Sequence, residues 1–189
     1  MCAFHLEPPR VSMALASHTV NEAPTGSAGR VSIITKSREI SVSTDGRINR
    51  IILAYWPHNF EAAIERFRSV LGLQDLEGPF EPPGDGVRAM ISFERGIEFI
   101  TPCGTGPFRP ILENHLSTRG EGLFTLVWGV VDLTAAETRA AAAGFPRQGG
   151  RIDCFQANPA WKLHYARLLE APLPPVAAVN VILIEARRV

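Results

Sequence analysis

The sequence has few cysteines and no excess of positive charge. It has 3 cysteines, Cys2, Cys103 and Cys154, and no two of them have the CxxC spacing of a zinc or redox motif. An odd number of scattered thiols indicates reduced cysteines rather than a disulfide framework. Basic and acidic residues number 19 each, and no basic run occurs. We therefore expect neither a nucleic acid nor a membrane surface as partner.

Long apolar runs and the common catalytic motifs are also missing. No stretch has the length of a transmembrane helix, and the N-terminus lacks the basic and apolar segments of a signal peptide. We therefore expect a cytoplasmic protein. The glycine pairs do not have the spacing of a P-loop or dinucleotide fingerprint, and GxSxG, HExxH and EF-hand patterns are absent. The usual nucleotide-binding, hydrolase and calcium-binding classes have no support.

What the sequence does contain is one strand-helix-glycine pattern, twice. The apolar run 48–55 leads into a helix ending at Gly72, and the run 123–131 leads into a helix ending at Gly144. A strand-helix unit cannot bury its own apolar face. Two copies in 189 residues therefore predict two modules packed in one domain, with the functional site in the cleft between them.

Polar residues near the start of each helix predict how it is capped. Asn59 is the expected N-cap of the first helix, where its side chain can accept a hydrogen bond from a free backbone N–H. Thr134 and Glu137 have the spacing of a capping box in the second helix. Gly72 and Gly144 supply the left-handed conformation that ends a helix.

The segments after each helix predict three strands per module. These strands are expected at 73–80, 87–93 and 97–101 in the first module, and at 151–155, 162–169 and 179–186 in the second. Each module then reads β-α-β-β-β. We predict an α+β fold in which modules 47–102 and 120–187 form an open, cup-shaped mixed sheet within a domain over 47–189, joined by a helix at about 108–118.

The first 46 residues differ in composition from the rest. Residues 1–29 mix proline, serine, threonine, alanine, glycine and asparagine without sustained periodicity, so we predict a partly disordered N-terminal extension over 1–46. Within it, the segment 31–42 can form an edge strand or pair with a partner chain.

Several of these segments resemble those of one superfamily. The strand motif IxxIxLA, the helix end LGL, the strand end GIEFITP, the segment RGEGLFTLVWGVVDL and the last strand VILIEA are similar to the vicinal oxygen chelate superfamily. That superfamily includes glyoxalase I, methylmalonyl-CoA epimerase, extradiol dioxygenases and bleomycin-resistance proteins. The resemblance covers about residues 47–187 and implies the cup-shaped fold, a small-molecule ligand and a homodimer, but no particular chemistry.

The superfamily's metal ligands are only half matched. In its enzymes, His and Glu side chains on the strands hold one divalent metal that chelates two substrate oxygens. Carried over by position, these ligands fall on Arg50, Glu98, Thr125 and Glu185. Guanidinium has no free lone pair and stays protonated, so Arg50 repels a cation. We expect no cofactor; if Mn, Fe, Zn, Ni or Mg is bound, Glu98 and Glu185 are its predicted ligands.

The substitution of Arg50 for a metal ligand predicts a different kind of site. A guanidinium paired with Glu98 or Glu185 can bind a carboxylate, enolate or phenolate, and a carboxylate without full pairing can act as a general base. A purely structural ion pair is the alternative. Thr125 and Trp128 are further candidates for substrate binding.

Two neighbouring residues of the second module are candidate acids or bases. His164 and Tyr165 fall on one predicted strand, where successive side chains point to opposite faces, so one of them is expected to face the cup. A satisfied inner polar residue is the alternative role for either of them. His115 is expected to contact solvent, and Cys103 lacks the nearby His of a nucleophile.

Three functions follow from these observations. The first is a glyoxalase-like enzyme, of lyase, isomerase or dioxygenase type, acting on a carbonyl or aromatic substrate, with Glu98, Glu185, His164 and Tyr165 as candidate catalytic residues. The second is a non-catalytic binding protein of the bleomycin-resistance type. The third is a scaffold, which a collapsed cup would favour.

Overall fold

The computed structural model describes residues 46–157 and 159–189, without the side chains of Ala157 and Pro159. The N-terminal extension predicted for residues 1–46, including the strand predicted at 31–42, lies outside the described residues except for Gly46. No helix within the described part of the chain is both long and apolar enough to cross a membrane. The predicted homodimer involves a second chain and stays a prediction.

The described chain contains the two predicted β-α-β-β-β modules. The first comprises β1 (Arg47–Ala54), α1 (Pro57–Leu71), β2 (Glu77–Phe80), β3 (Val87–Ser92) and β4 (Ile97–Pro102), and α2 (Phe108–Arg119) follows it. The second comprises β5 (Gly122–Gly129), α3 (Leu133–Ala142), β6 (Ile152–Asp153), α4 (Cys154–Ala157), a 3-10 helix (Pro159–Leu163), β7 (Tyr165–Val176) and β8 (Val179–Arg188). The α+β fold class is confirmed.

The strands form one mixed sheet of eight strands in the order β2-β3-β4-β1-β5-β8-β7-β6. Within each module the first strand runs parallel to the last one, as β1 does with β4 and β5 with β8. The two modules meet where β1 pairs antiparallel with β5. They therefore pair within one chain, which the sequence left open, and the sheet curls into an open half-barrel that is the predicted cup.

Side chains on the two faces of the sheet belong to different apolar clusters. On the outer face, α1 packs on a cluster that contains Phe60, Ile64 and Phe99, and α3 packs on one that contains Leu133 and Leu183. On the inner face, α2, α4 and the 3-10 helix cover the largest cluster, which includes Ile52, Leu112, Cys154, Trp161 and Ile184. The inner face of the cup is therefore packed with side chains.

Both predicted N-caps are wrong, whereas Gly72 and Gly144 follow α1 and α3 with the positive φ that was predicted. Helix α1 begins earlier, at Pro57, and the amide of Asn59 donates to Glu121 instead of capping the helix. In α3 the cap is Asp132, whose Oδ1 accepts from the Ala135 N–H over 2.9 Å. Glu137 pairs with Arg147 and Arg151. Asp132 directly precedes the first turn of α3 and so can reach a free backbone N–H, whereas Thr134 already lies inside the helix.

The second module also differs from its predicted bounds. The strand predicted at 151–155 has only two residues before α4 begins, and the strand predicted at 162–169 runs from Tyr165 to Val176. The alternation of apolar and polar residues did not reveal the length of β7, because the strand contains three prolines and follows a 3-10 helix.

His115 of α2 was expected to contact solvent. It is instead buried, with its ring edge-on to Phe124 at 4.9 Å between ring centres.

Candidate functional site

Strand alternation places Arg50 and Glu98 on the inner face of the cup. Arg50 and Ile52 alternate along β1, and Ile52 belongs to the inner cluster. Glu98 lies beside Ile52 in the parallel pairing of β1 with β4, so its side chain has the same orientation. Both charged residues are buried, with exposed fractions of 5% for Arg50 and 9% for Glu98.

A third charged residue, Glu170 on β7, completes a buried ion cluster. Nε of Arg50 lies 2.6 Å from Oε2 of Glu98, a contact that lacks hydrogen-bond geometry. Nη2 of Arg50 donates to Oε1 of Glu170 over 2.7 Å. One guanidinium from the first module therefore contacts carboxylates from both modules. We call Arg50, Glu98 and Glu170 the ion cluster.

The ion cluster is not fully satisfied. Nη1 of Arg50 is buried and has no hydrogen-bond partner among the described residues. Burial raises the pKa of Glu98, Arg50 lowers it, and Glu170 raises it further, so that the pKa lies above its usual range. Burial acts to lower the pKa of Arg50, but Glu98 and Glu170 outweigh it and raise that pKa. The cluster thus combines a fixed cation, free N–H donors and a carboxylate that holds a proton more readily than usual.

Aromatic and thiol groups surround the ion cluster. The guanidinium of Arg50 lies 4.8 Å from the centre of the Trp161 ring, which covers it. Tyr165 packs on Trp161 with ring centres 6.0 Å apart, and burial raises the pKa of its phenol. Burial and Glu170 raise the pKa of Cys154. At neutral pH both groups keep their protons, so they can donate hydrogen bonds but are not nucleophiles.

The predicted position of Glu185 in the cup is wrong. On β8, Ile184 belongs to the inner cluster and Leu183 to the α3 cluster, so Glu185 also has the outer orientation. Its Oε1 lies 2.5 Å from Nε of Arg167, and its Oε2 accepts from the Leu133 N–H over 3.3 Å. Glu185 therefore holds the start of α3 and does not meet Arg50.

The other predicted site residues are divided between the faces. Thr125, 2% exposed, lies opposite Ile52 and shares its inner orientation. Trp128 packs in the α3 cluster, so its predicted place in a substrate pocket is wrong. Tyr165 is the inward residue of its pair. His164 precedes the strand, stacks on Phe93 at 3.7 Å and contacts Glu77 over 3.2 Å at the edge of the sheet.

Sequence reasoning missed Glu170 altogether. The predicted strand stopped at residue 169, one position before it. A signal was present in the sequence, because Glu170 is the lone charged residue in the segment LLEAPLPPV. With Leu168 in the inner cluster, alternation along β7 gives Glu170 the inner orientation.

The donor chemistry of this site does not fit the superfamily's divalent metal. Arg50 contacts both inward carboxylates, so a metal bound by them would lie against a fixed positive charge. The two imidazole positions hold Arg50 and Thr125. Across residues 46–157 and 159–189, no group of three or more His, Cys, Asp or Glu side chains is arranged to hold a metal ion.

Two cavities in the described part of the chain are lined by residues outside the ion cluster. One, of about 490 Å³, lies between the start of α1, the end of β4 and α2. The other, of about 200 Å³, lies beside β7 and β6 and is lined by Arg167, Leu168 and Leu169 together with Asp153, Phe155 and Ala166. Arg50 is buried beneath the ring of Trp161, so access to its guanidinium requires Trp161 to move.

Comparisons with known proteins give the fold. No protein-family model and no curated protein matches the chain. Among solved structures, a hypothetical protein, BH1468 from Bacillus halodurans C-125, is 18% identical over 74% of this chain and 94% of its own, with a TM-score of 0.55. Methylmalonyl-CoA epimerase from Mycobacterium tuberculosis is 18% identical over 78% and 93%, with a TM-score of 0.53. A selenomethionine form of methylmalonyl-CoA epimerase is 16% identical over 73% of this chain and 93% of its own, with a TM-score of 0.51.

The chain has the fold of the vicinal oxygen chelate superfamily. The two β-α-β-β-β modules joined through β1 and β5 and the similarity to these solved structures both support this conclusion.

Proposed function

We propose that this protein is an isomerase-type enzyme that moves a proton next to a carbonyl group of a small organic substrate without a metal. The observation that carries the proposal is the ion cluster, in which buried N–H groups of Arg50 without a partner lie beside Glu98, a carboxylate of raised pKa. A buried polar group without a partner costs free energy, so a structure that keeps one needs a reason for it. An oxygen of a substrate supplies that reason.

The proposed reaction needs only groups of this chain. Glu98 accepts a proton from the carbon next to the carbonyl, and the electron pair of the broken C–H bond moves onto the carbonyl oxygen. The Nη1 hydrogens of Arg50 donate to that oxygen and stabilise its negative charge. Return of the proton to the carbon completes an isomerisation or an exchange with solvent. Tyr165, which keeps its proton, is the candidate donor on the second side.

Glu170 has a positioning role in this proposal. Its hydrogen bond to Nη2 of Arg50 fixes the guanidinium plane and so aims Nη1. Its charge also raises the pKa of Glu98, which brings that carboxyl closer to the range of an effective general base. Loss of Glu170 is therefore expected to lower the rate less than loss of Glu98.

The test is deuterium uptake from D₂O, followed by proton NMR, at the carbon next to the carbonyl of pyruvate and of methylmalonyl-CoA. The second probe is chosen because the structural neighbours include methylmalonyl-CoA epimerases. We expect wild-type protein to speed exchange of at least one probe, and Glu98→Gln to slow it by about 10²-fold or more. Exchange that disappears with a chelator and returns with a divalent ion contradicts the metal-free proposal.

A matched control separates the site from a general effect of removing a carboxylate. Glu185→Gln makes the same chemical change on the outer face of the sheet and is expected to leave the exchange rate unchanged. An equal loss in Glu98→Gln and Glu185→Gln contradicts the assignment of Glu98. The melting temperature of each variant shows whether it is folded.

A non-catalytic role is the second candidate, and one observation favours it. Neither cavity reaches the ion cluster, and Trp161 covers Arg50. In that case the ion cluster only joins the two modules. No exchange of either probe, combined with a large loss of stability in Glu98→Gln, supports this structural role.

A further inference from the structure

The cavity of about 490 Å³ is lined by a buried hydroxyl group that makes no hydrogen bond to any described residue. Thr101 on β4 is 2% exposed, lines this cavity, and its Oγ1 has no hydrogen-bond partner among the described residues. Thr101 and Glu98 are three positions apart on one strand, so their side chains point to opposite faces. The cavity is therefore separate from the ion cluster.

Two guanidinium groups line the same cavity. Arg88 lies directly opposite Thr101 in the pairing of β3 with β4, and Arg109 comes from the first turn of α2. Nε of Arg88 contacts Glu81 over 2.5 Å, and Arg109 contacts Glu113 over 2.8 Å and the Gly104 carbonyl over 2.5 Å. A guanidinium has five N–H donors, more than these contacts use. Hydrogen-bond donors thus converge on the cavity.

The other walls are apolar or neutral. Trp56, Pro57 and Phe60 at the start of α1 and Pro102 at the end of β4 form the apolar part. Cys103 is half-buried in the wall, and burial together with Glu81 raises its pKa, so its thiol is neutral at neutral pH. Glu61 and Glu113 also line the cavity, which therefore has two formal charges of each sign. This balance fits a monocarboxylate with an apolar body better than a polyanion.

We propose that this cavity binds a small organic monocarboxylate, whose carboxylate accepts hydrogen bonds from Thr101 and the two arginines while its apolar body packs on Trp56 and Phe60. The volume lies within the range of small-molecule sites. Exposed arginine pairs are worth little on their own, so an arriving carboxylate can compete with Glu81 and Glu113 for their guanidinium groups. The Thr101 hydroxyl supplies a donor that has no competing acceptor among the described residues.

The test uses benzoate and the thiol in the cavity wall. Iodoacetamide reacts with the thiolate, so modification of Cys103 is carried out at alkaline pH. Mass spectrometry of the Cys103 peptide follows its rate separately from the other two thiols. Protection scales with the fraction of occupied sites, so benzoate at about ten times its Kd is expected to slow modification of Cys103 about tenfold. Calorimetric titration of the full chain with benzoate supplies the Kd. No protection of Cys103, or a Kd weaker than about 10 mM, overturns the proposal and leaves a cavity that holds only water.

Two threonine variants locate the bound benzoate. Thr101→Val removes the hydroxyl at nearly constant volume and is expected to weaken benzoate binding about tenfold while leaving the melting temperature unchanged or higher, because a buried hydroxyl without a partner is lost. Thr125→Val is the matched control, since Thr125 is equally buried but has the inner orientation. Weaker binding in Thr125→Val with normal binding in Thr101→Val shows that benzoate is in the cup and overturns the proposal. If Thr101→Val does not fold, protection of Cys103 in the wild type decides the question alone.

Discussion

Nη2 of Arg50 donates to Oε1 of Glu170 over 2.7 Å, although the two residues are 120 positions apart in the chain. Arg50 belongs to the first module and Glu170 to the second, so the contact crosses the junction between them. Arg50 also contacts Glu98 at 2.6 Å. Because the guanidinium of Arg50 contacts both carboxylates, two roles can be tested. It can hold the two modules together, and it can bind a substrate oxygen.

The structural role of Arg50 predicts a large loss of stability in Arg50→Met. The substitution keeps an extended apolar side chain but leaves two buried carboxylates without their cation. We expect the free energy of unfolding to fall by about 3–5 kcal/mol in urea denaturation. Arg167→Met is the control, because Arg167 forms a more exposed pair with Glu185, and it is expected to cost about 1 kcal/mol or less. Equal costs contradict this account of Arg50.

The raised pKa of Glu98 predicts a pH dependence of stability. Above its usual pKa of 4.5 the folded state binds this proton more tightly than the unfolded state does. The free energy of unfolding therefore falls as the pH rises from about 4.5 through the raised pKa. Glu98→Gln removes this titration, so the variant is expected to gain stability relative to wild type as the pH rises through that window. Urea denaturation at several pH values measures the difference, and a constant difference contradicts the prediction.

The lowered pKa of His115 predicts a pH dependence of stability that is opposite in sign to that of Glu98. Burial and the charge of Arg119 lower the pKa of His115 from 6.5. The unfolded state therefore binds this proton more tightly, and the stability contributed above about pH 6.5 is lost as the pH falls through the lowered pKa. His115→Gln keeps a polar side chain without this titration, so its thermal unfolding is expected to be less sensitive to acid than that of wild type. Equal acid sensitivity of the two proteins means that His115 is not the responsible group.

The loop at Gly106, near the proposed carboxylate cavity, packs too closely on the backbone of Asp85 to accept a larger side chain. A Cβ at this position would clash with the carbonyl group of Asp85, whose oxygen accepts a hydrogen bond from the Phe108 N–H over 3.0 Å. The two loops must therefore separate in Gly106→Ala, at an expected cost of about 1–3 kcal/mol in urea denaturation. Gly150→Ala is the control, since a Cβ there meets nothing within 4 Å, and we expect a change within about 0.5 kcal/mol. A smaller cost for Gly106→Ala than for Gly150→Ala contradicts this packing.

The sequence alone determined the architecture, because the features that specify it are local. Apolar runs, helical periodicity and the two glycines Gly72 and Gly144 repeat in each module, and a strand-helix unit with one apolar face has few ways to bury it. The resemblance to the superfamily's ligand positions also pointed to Arg50 and Glu98, and both side chains lie on the inner face of the sheet. The N-terminal extension stays a prediction.

Only the tertiary structure decided which carboxylates meet Arg50. A shift of one residue along a strand moves every side chain to the other face, so the sequence motif at Glu185 gave the right strand and the wrong face. Glu170 joins the ion cluster instead, from a strand whose prolines concealed its length. The filling of the cup by side chains could not be predicted either, because it depends on how α2 and the 3-10 helix pack on the sheet. Sequence patterns fix which residues are buried, whereas long-range packing chooses their neighbours.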